Sequence, residues 1–332
     1  MPQSNLESFT NRGVLVKTET TEGTDAAPVE ATDGLMLLDG SSGTEFDKVE
    51  RSIDKAFFSG NEFAVANRRA FIEGDVEIFP PDAPGDAVNG ISHQDAVLKA
   101  GGMARTLDAT NGTTTYNPIS SSFESVTAYW WHVDHHLEVL GARANITGLM
   151  MAIGQIAKMR MRLQGSYDQM EKEALPTNIV LPDFVPQALE SDNSVTTIAS
   201  VDGTTVASMN LWGKSISIDF NNSLAQKEYT EAKFNTISDR LATWSLQVAR
   251  ADLDEFNPWQ LRDDGVLMEG DITQTYVDLD LSVKLAFRGQ IESVETVDID
   301  GDLGWQLSGP CIASSAGGDE FFLEYNDLSL PI

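Results

Sequence analysis

One cysteine, Cys311, stands in 332 residues, so no intrachain disulfide can form, and its thiol is expected to be a small buried group. No apolar run approaches the ~18 residues that a membrane-spanning helix needs. The opening MPQSNLESFTNRG has no basic stretch followed by an apolar one, so no secretory signal is expected and synthesis is expected in the cytoplasm. Bases are scarce. Twenty-two Lys and Arg face 51 Asp and Glu, for a net charge of −29, which opposes nucleic-acid binding by phosphate neutralisation. The acidity suits a solubilising or salt-adapted surface, or one that repels a passing polyanion, and composition leaves both open.

Catalytic patterns are also missing: there is no phosphate loop, nucleophile elbow or dinucleotide fingerprint. Carboxylate pairs are too common here to single one out as an acid/base pair. The four histidines include His132, His135 and His136 around Asp134, read as exposed turn residues with weak metal binding as the alternative. The run 298–304, DIDGDLG, departs from a calcium loop because Leu303 holds the sixth position and Gly309 the twelfth, leaving a solvated acidic turn. We expect no enzyme, no cofactor and no bound metal.

What is present is period-two alternation between turn signals. Residues 1–43 are small and polar and read as an extended N-terminal arm rather than a core element. From residue 44 the pattern is β: Glu73, Asp75 and Glu77 point one way while Ile72, Val76 and Ile78 point the other, until Pro80-Pro81. A helix is expected over 92–100, capped by Ser92 and closed by Gly101-Gly102. A hairpin follows, with arms 123–131 and 137–146. Prolines 176, 182 and 186 mark 166–195 as a linker. Alternation resumes around Ile216, Ile218 and Phe220, then Trp244, Leu246 and Val248. A second helix is expected over 254–268, with Pro258 in its first turn. A strand is then expected to put Val277, Leu279, Leu281, Val283 and Leu285 on one face, and the last strand to run over 320–325.

Two stretches resemble each other. Residues 137–165 and 283–309 both open on an alternating strand and both place an arginine three positions before an isoleucine: Arg143 and Ile146, Arg288 and Ile291. Both end on a second strand closing in Leu-Gln-Gly or Leu-Ser-Gly. The spacing from arginine to final glycine is 22 in one and 21 in the other. We read them as copies of a duplicated β unit, with a first domain over 44–165 and a second over 196–332, each with one short helix. The face of Lys158, Arg160 and Arg162 is either solvated or a partner for acidic strands, within the chain or across a subunit boundary.

Several segments, in this order, are similar to the tail tube (major tail) proteins of long, flexible-tailed bacteriophages. They are TTEGTDAAPVEATDGLMLL (20–38), VERSIDKAFFSGN (49–61), AVLKAGGM (96–103), YNPISSSFESVTAYW (116–130), LGAR (140–143), ALP with LPDF (174–184), and GGDEFFLEY (317–325). The insertion PPDAPGDAVNG (80–90) and the acidity depart from that pattern. The resemblance implies a mainly β fold with two tandem tube-type β-sandwich or barrel domains that joins other copies into a ring-shaped β-barrel. It further implies stacked rings that enclose DNA and the tape-measure protein, a place in the virion tail, and contacts with a tail terminator and a distal tail protein. Combined with the duplication, it gives a trimeric ring of pseudo-six-fold symmetry. Carboxylates on the inner wall would keep DNA sliding, and screening over ~8 Å restricts this to wall-facing acids.

Alternation nominates Glu50, Asp54, Glu73, Asp75, Glu77 and Asp219 for that wall, although a strand facing outer solvent would look the same. Phe57, Phe58 and Phe63 are nominated for ring-to-ring contacts, the alternative being a loop folded on its own core. The rival readings are an acidic, calcium-responsive β-sandwich binding module and another virion part, such as a tail terminator or a decoration protein.

Overall fold

A computed structural model describes residues 11–54, 59–167, 169–231 and 233–330. The chain is mainly β with two short helices. Its first half holds β1 (Arg12–Thr18), β2 (Leu37–Glu50), β3 (Phe63–Glu77), α1 (Asp95–Ala100), β4 (Met103–Asp108), β5 (Thr113–Pro118), β6 (Val126–His132), β7 (His135–Ala152), β8 (Lys158–Ser166) and β9 (Glu171–Lys172). The second half holds β10 (Ser194–Ser200), β11 (Met209–Leu211), β12 (Gly213–Asp219), β13 (Asn222–Glu228), β14 (Lys233–Arg240) and β15 (Thr243–Ala249). After these come α2 (Pro258–Asp263), β16 (Leu267–Tyr276), β17 (Leu281–Gln290), β18 (Ser293–Ile299), β19 (Asp302–Pro310) and β20 (Phe321–Asp327).

The largest sheet has an eight-strand path, β18-β19-β15-β12-β7-β8-β3-β2, with β1, β6 and β9 attached through the N-terminal part of β7. It reads as one order of four met twice, β18-β19-β15-β12 and then β7-β8-β3-β2. In each four, the strands appear along the chain in the same sequence. The halves meet where β12 pairs β7, from Ser215 with Ala152 to Ile218 with Leu149. A second sheet runs β11-β10-β16-β17-β20-β5-β4, and β13 and β14 form a separate hairpin. Attachments repeat too: β1 pairs β6 and β6 pairs β7, as β10 pairs β16 and β16 pairs β17.

Alternation explains the burial. Ile72 and Val76, Met159, Met161 and Leu163, Ala144 and Ile146, Ile216 and Ile218, Trp244 and Leu246, and Leu307 all face one side and are buried. The sheets pack through this side: Trp244 stacks on Phe287 of β17 at 4.1 Å, and Phe220 lies 4.7 Å from Phe321 of β20. Burying each such ring stabilises the fold by about 2–3 kcal/mol. The insertion at 80–90 turns back against β5, where Thr114 Oγ1 accepts from Gly85 N at 2.9 Å and donates to Gly90 O at 2.8 Å.

Several expectations are corrected. Part of the presumed arm 1–43 is core: β1 buries Val14, Leu15 and Val16, and Leu35 N donates back to Val14 O. The first helix starts at Asp95 rather than Ser92, because the buried Ser92 hydroxyl pairs with Tyr116 Oη at 2.9 Å. The second helix is only Pro258–Asp263, capped by Asn257, whose side chain accepts from Gln260 N; Gly265 at φ 66° turns the chain away. The strand expected from Val277 begins at Leu281. Val277–Leu279 form a 3-10 turn with both hydrophobic residues exposed, and Asp280 at φ 53° separates turn from strand.

Candidate functional site

The eight-strand path leaves two features open: its outward face and its terminal strands. On the outward face, register sets acids of β3 directly opposite bases of β8: Glu73 with Arg162, Asp75 with Arg160, Glu77 with Lys158. Arg162 Nη1 lies 3.1 Å from Glu73, Arg160 lies 3.6 Å from Asp75, and Lys158 Nζ reaches Asp75 at 2.9 Å. Arg162 also reaches Glu45 of β2 at 2.7 Å and covers the Phe71 ring at 3.9 Å. Glu45 is held below the usual carboxylate range by its hydrogen bond from Arg69 and by the charge of Arg162. Glu73, Asp75 and Glu77 thus share a face as expected, but that face is a lattice of opposite charges rather than a bare acidic stripe.

The second half of the same face is almost uncharged. Register aligns Ser217, Ser245, Ser308 and Ser293 across β12, β15, β19 and β18. The next row is Ser215, Gln247, Gln306 and Glu295, with Gln247 donating to Gln306 at 3.2 Å. Asp219 sits on this face but is committed to the seam. Its Oδ1 accepts the backbone N–H of Gly148, a β7 residue at φ 58° where the strand bulges.

Glu50 lies near the outer end of β2 and pairs with Lys48 at 2.7 Å, and Asp54 lies exposed beyond that strand. Neither joins Glu73 and Asp75. Phe57 and Phe58 lie outside the described residues. Phe63 is exposed on the outer part of the β2–β3 hairpin, stacked on Phe46 at 6.3 Å and topped by Lys48 at 5.0 Å. That hairpin passes beyond Ala70, where pairing with β8 ends.

The terminal strands are β2 and β18. On the path each has one partner, β3 and β19 respectively, so the outer backbone groups of both point away from the sheet. Sequence reading missed Glu45 and Arg69 as members of the charge lattice, although matching the alternating acids of 73–77 to the alternating bases of 158–162 would have found its centre. It also missed the β13–β14 hairpin, whose alternation is broken by polar residues.

His136 is buried, stacked on Trp131 at 4.5 Å with Nδ1 2.7 Å from Glu173, so it is not the exposed turn residue expected; His135 is exposed and lies 3.1 Å from Asp134. Burial pushes the Cys311 thiol up to about 12. Asp298 accepts from Gly301 N at 2.7 Å, and Asp300 in the same turn meets Lys214 at 2.6 Å. Among the described residues, no group of three or more His, Cys, Asp or Glu is placed to hold a metal, and no helix is long and apolar enough to cross a membrane.

No protein-family model matches the chain. No curated protein matches it either.

Proposed function

We propose that the chain is a tube-forming structural subunit, of the kind that builds a phage tail tube, and that three copies close a ring by pairing β2 of one with β18 of the next. One observation carries this reading. The eight-strand path repeats one four-strand order, so the seam inside the chain, β12 against β7, has the two open edges as its counterpart: β2 corresponds to β12, and β18 corresponds to β7. A head-to-tail contact of this type repeats until the rotation closes. The same correspondence supports a duplicated unit, consistent with the likeness of 137–165 to 283–309.

Three copies contribute 24 strands. At ~4.8 Å between strands and a tilt of ~40°, the barrel is about 45–50 Å across at the backbone. The face packed on the second sheet then lies outside, and the polar face lines the bore. That lining suits DNA and the tape-measure protein passing without being gripped, because the bases of β8 are engaged by acids of β3 and the second half offers serine and glutamine. The wall is negative through its excess carboxylates, but more evenly polar than alternation alone suggested.

Negative-stain electron microscopy and native mass spectrometry of the purified protein over a concentration series test the proposal. Rings with the mass of three chains, stacking into tubes, are expected. A protein that stays monomeric at every concentration overturns it.

A further inference from the structure

The β13–β14 hairpin leaves the eight-strand path between β12 and β15 and lies across β7 and β8 of the other half. Asn222 Nδ2 donates to Gly101 O at 2.8 Å and to Ala144 O at 3.0 Å. Arg143 Nε donates to Asn235 O at 3.2 Å, and Asn235 Nδ2 donates to Gly141 O at 3.2 Å. At its far end, Lys233 Nζ donates to Arg68 O at 2.7 Å, next to the point where β3 leaves β8. This hairpin therefore clamps one four-strand unit onto its neighbour.

The corresponding place in the other unit, between β2 and β3, holds the outer part of the β2–β3 hairpin, where 47–50 pair with 63–66. No other described strand covers the side that carries Phe46, Phe63 and Val65, and all three are exposed. Correspondence also locates what it should cover. Leu163 pairs with Ile72, and Leu307 pairs with Leu246. Counting back four residues from Ile72 and from Leu246 matches Arg68, where the inner hairpin ends, with Ala242. Beside Ala242 is Leu241, a leucine left 72% exposed.

Resting on the ring reading, we propose that the outer β2–β3 hairpin of one copy lies across β18 and β19 of the neighbouring copy in the same ring and covers its Leu241 with Phe63 and Val65. The occupant is a second copy of this chain. The contact repeats between copies the crossing that β13–β14 makes within one; by the same count Phe63 matches Ile237, so apolar side chains short of the hairpin tip take the place of the lysine–carbonyl bond. It makes Phe63 a lateral contact rather than a ring-to-ring one. The other rim of the sheet carries its own exposed residues, Trp212 at 86% and Leu303, whose carbonyls accept from Ala249 N and Arg250 N, and these serve as the comparison for a stacked copy.

The test pairs Val65→Glu with Leu241→Lys. Both positions are exposed, and circular dichroism should show each variant folded like the parent. Each alone is expected to raise the concentration needed for ring formation by about tenfold or more, and the two together to restore it through the new charge pair. A photo-crosslinking residue at position 63 should capture the peptide holding Leu241 within isolated rings. Rings formed equally well by every variant overturn this inference alone, as does capture of the peptide holding Trp212 or Leu303. A parent protein that forms no ring overturns this inference and the ring reading together.

Discussion

Gly141 donates its backbone N–H to Glu19 Oε1 at 2.7 Å, tying the bend of β7 to the end of β1. Gly141 stands at φ 59°, where β7 stops pairing with β6 and starts pairing with β8. A side chain there would strain the backbone, so glycine permits one strand to serve two ladders. The Glu19 carboxylate, itself buried, also accepts from Gly23 N, Ser125 Oγ and Thr127 Oγ1 at 2.6–3.0 Å.

Replacing that carboxylate should be severe. Glu19→Gln sets an amide NH2 donor against two of these donors and removes the charge they share, and is expected to lower stability by about 3 kcal/mol. Urea unfolding measures it; an unchanged midpoint would remove Glu19 as the anchor of the bend.

Asp219 holds the other bulge of β7 through Gly148. Asp219→Ala should cost about 1–2 kcal/mol and speed amide exchange at Gly148, while Asp219→Asn, which keeps an acceptor, should cost less. Equal exchange in all three proteins would return Asp219 to the status of a surface charge.

Arg162 joins Glu73 to Glu45 and covers Phe71, with its side chain about one-third exposed. Solvent screening keeps Arg162→Ala to about 1 kcal/mol. Glu73→Lys should be worse at low salt than at high salt, because it sets a lysine against Arg160 and Arg162. Thermal melts at two ionic strengths give the comparison, and identical shifts would mean that the lattice is not electrostatic in origin.

His93 Nε2 accepts from Met36 N at 3.0 Å, and burial pushes its pKa down to about 4. The unfolded chain binds this proton near 6.5 and the folded chain only near 4, so stability is full above ~6.5 and falls as pH drops toward 4. The loss should reach about 3 kcal/mol. His93→Gln keeps an acceptor and should flatten that part of the melting-temperature profile relative to the parent; parallel profiles would exclude His93 as the cause.

Much of the strand content was legible because one-sided burial imposes period two. Residues 71–77 and 244–248 show it plainly, and both lie on the eight-strand path. Residues 12–18 were misread because Val14, Leu15 and Val16 form a continuous apolar run, as a strand buried on both faces does, inside otherwise polar sequence. Helix ends were misplaced where tertiary partners intervened: Tyr116 engages Ser92, and Gly265 stops α2 early.

The acids of β3 show the same division. Their sidedness is a property of the backbone pleat, so Glu73, Asp75 and Glu77 could be assigned to one face from residue order alone. Which bases stand opposite depends on pairing between strands more than 80 positions apart, and local sequence does not encode that register. The meeting of β12 with β7, the bend at Gly141 and the two open edges likewise follow from long-range packing. Residue order determined which side chains face together; the tertiary structure decided what each face meets, because hydrogen-bond ladders and core contacts select a partner only when distant segments are brought side by side.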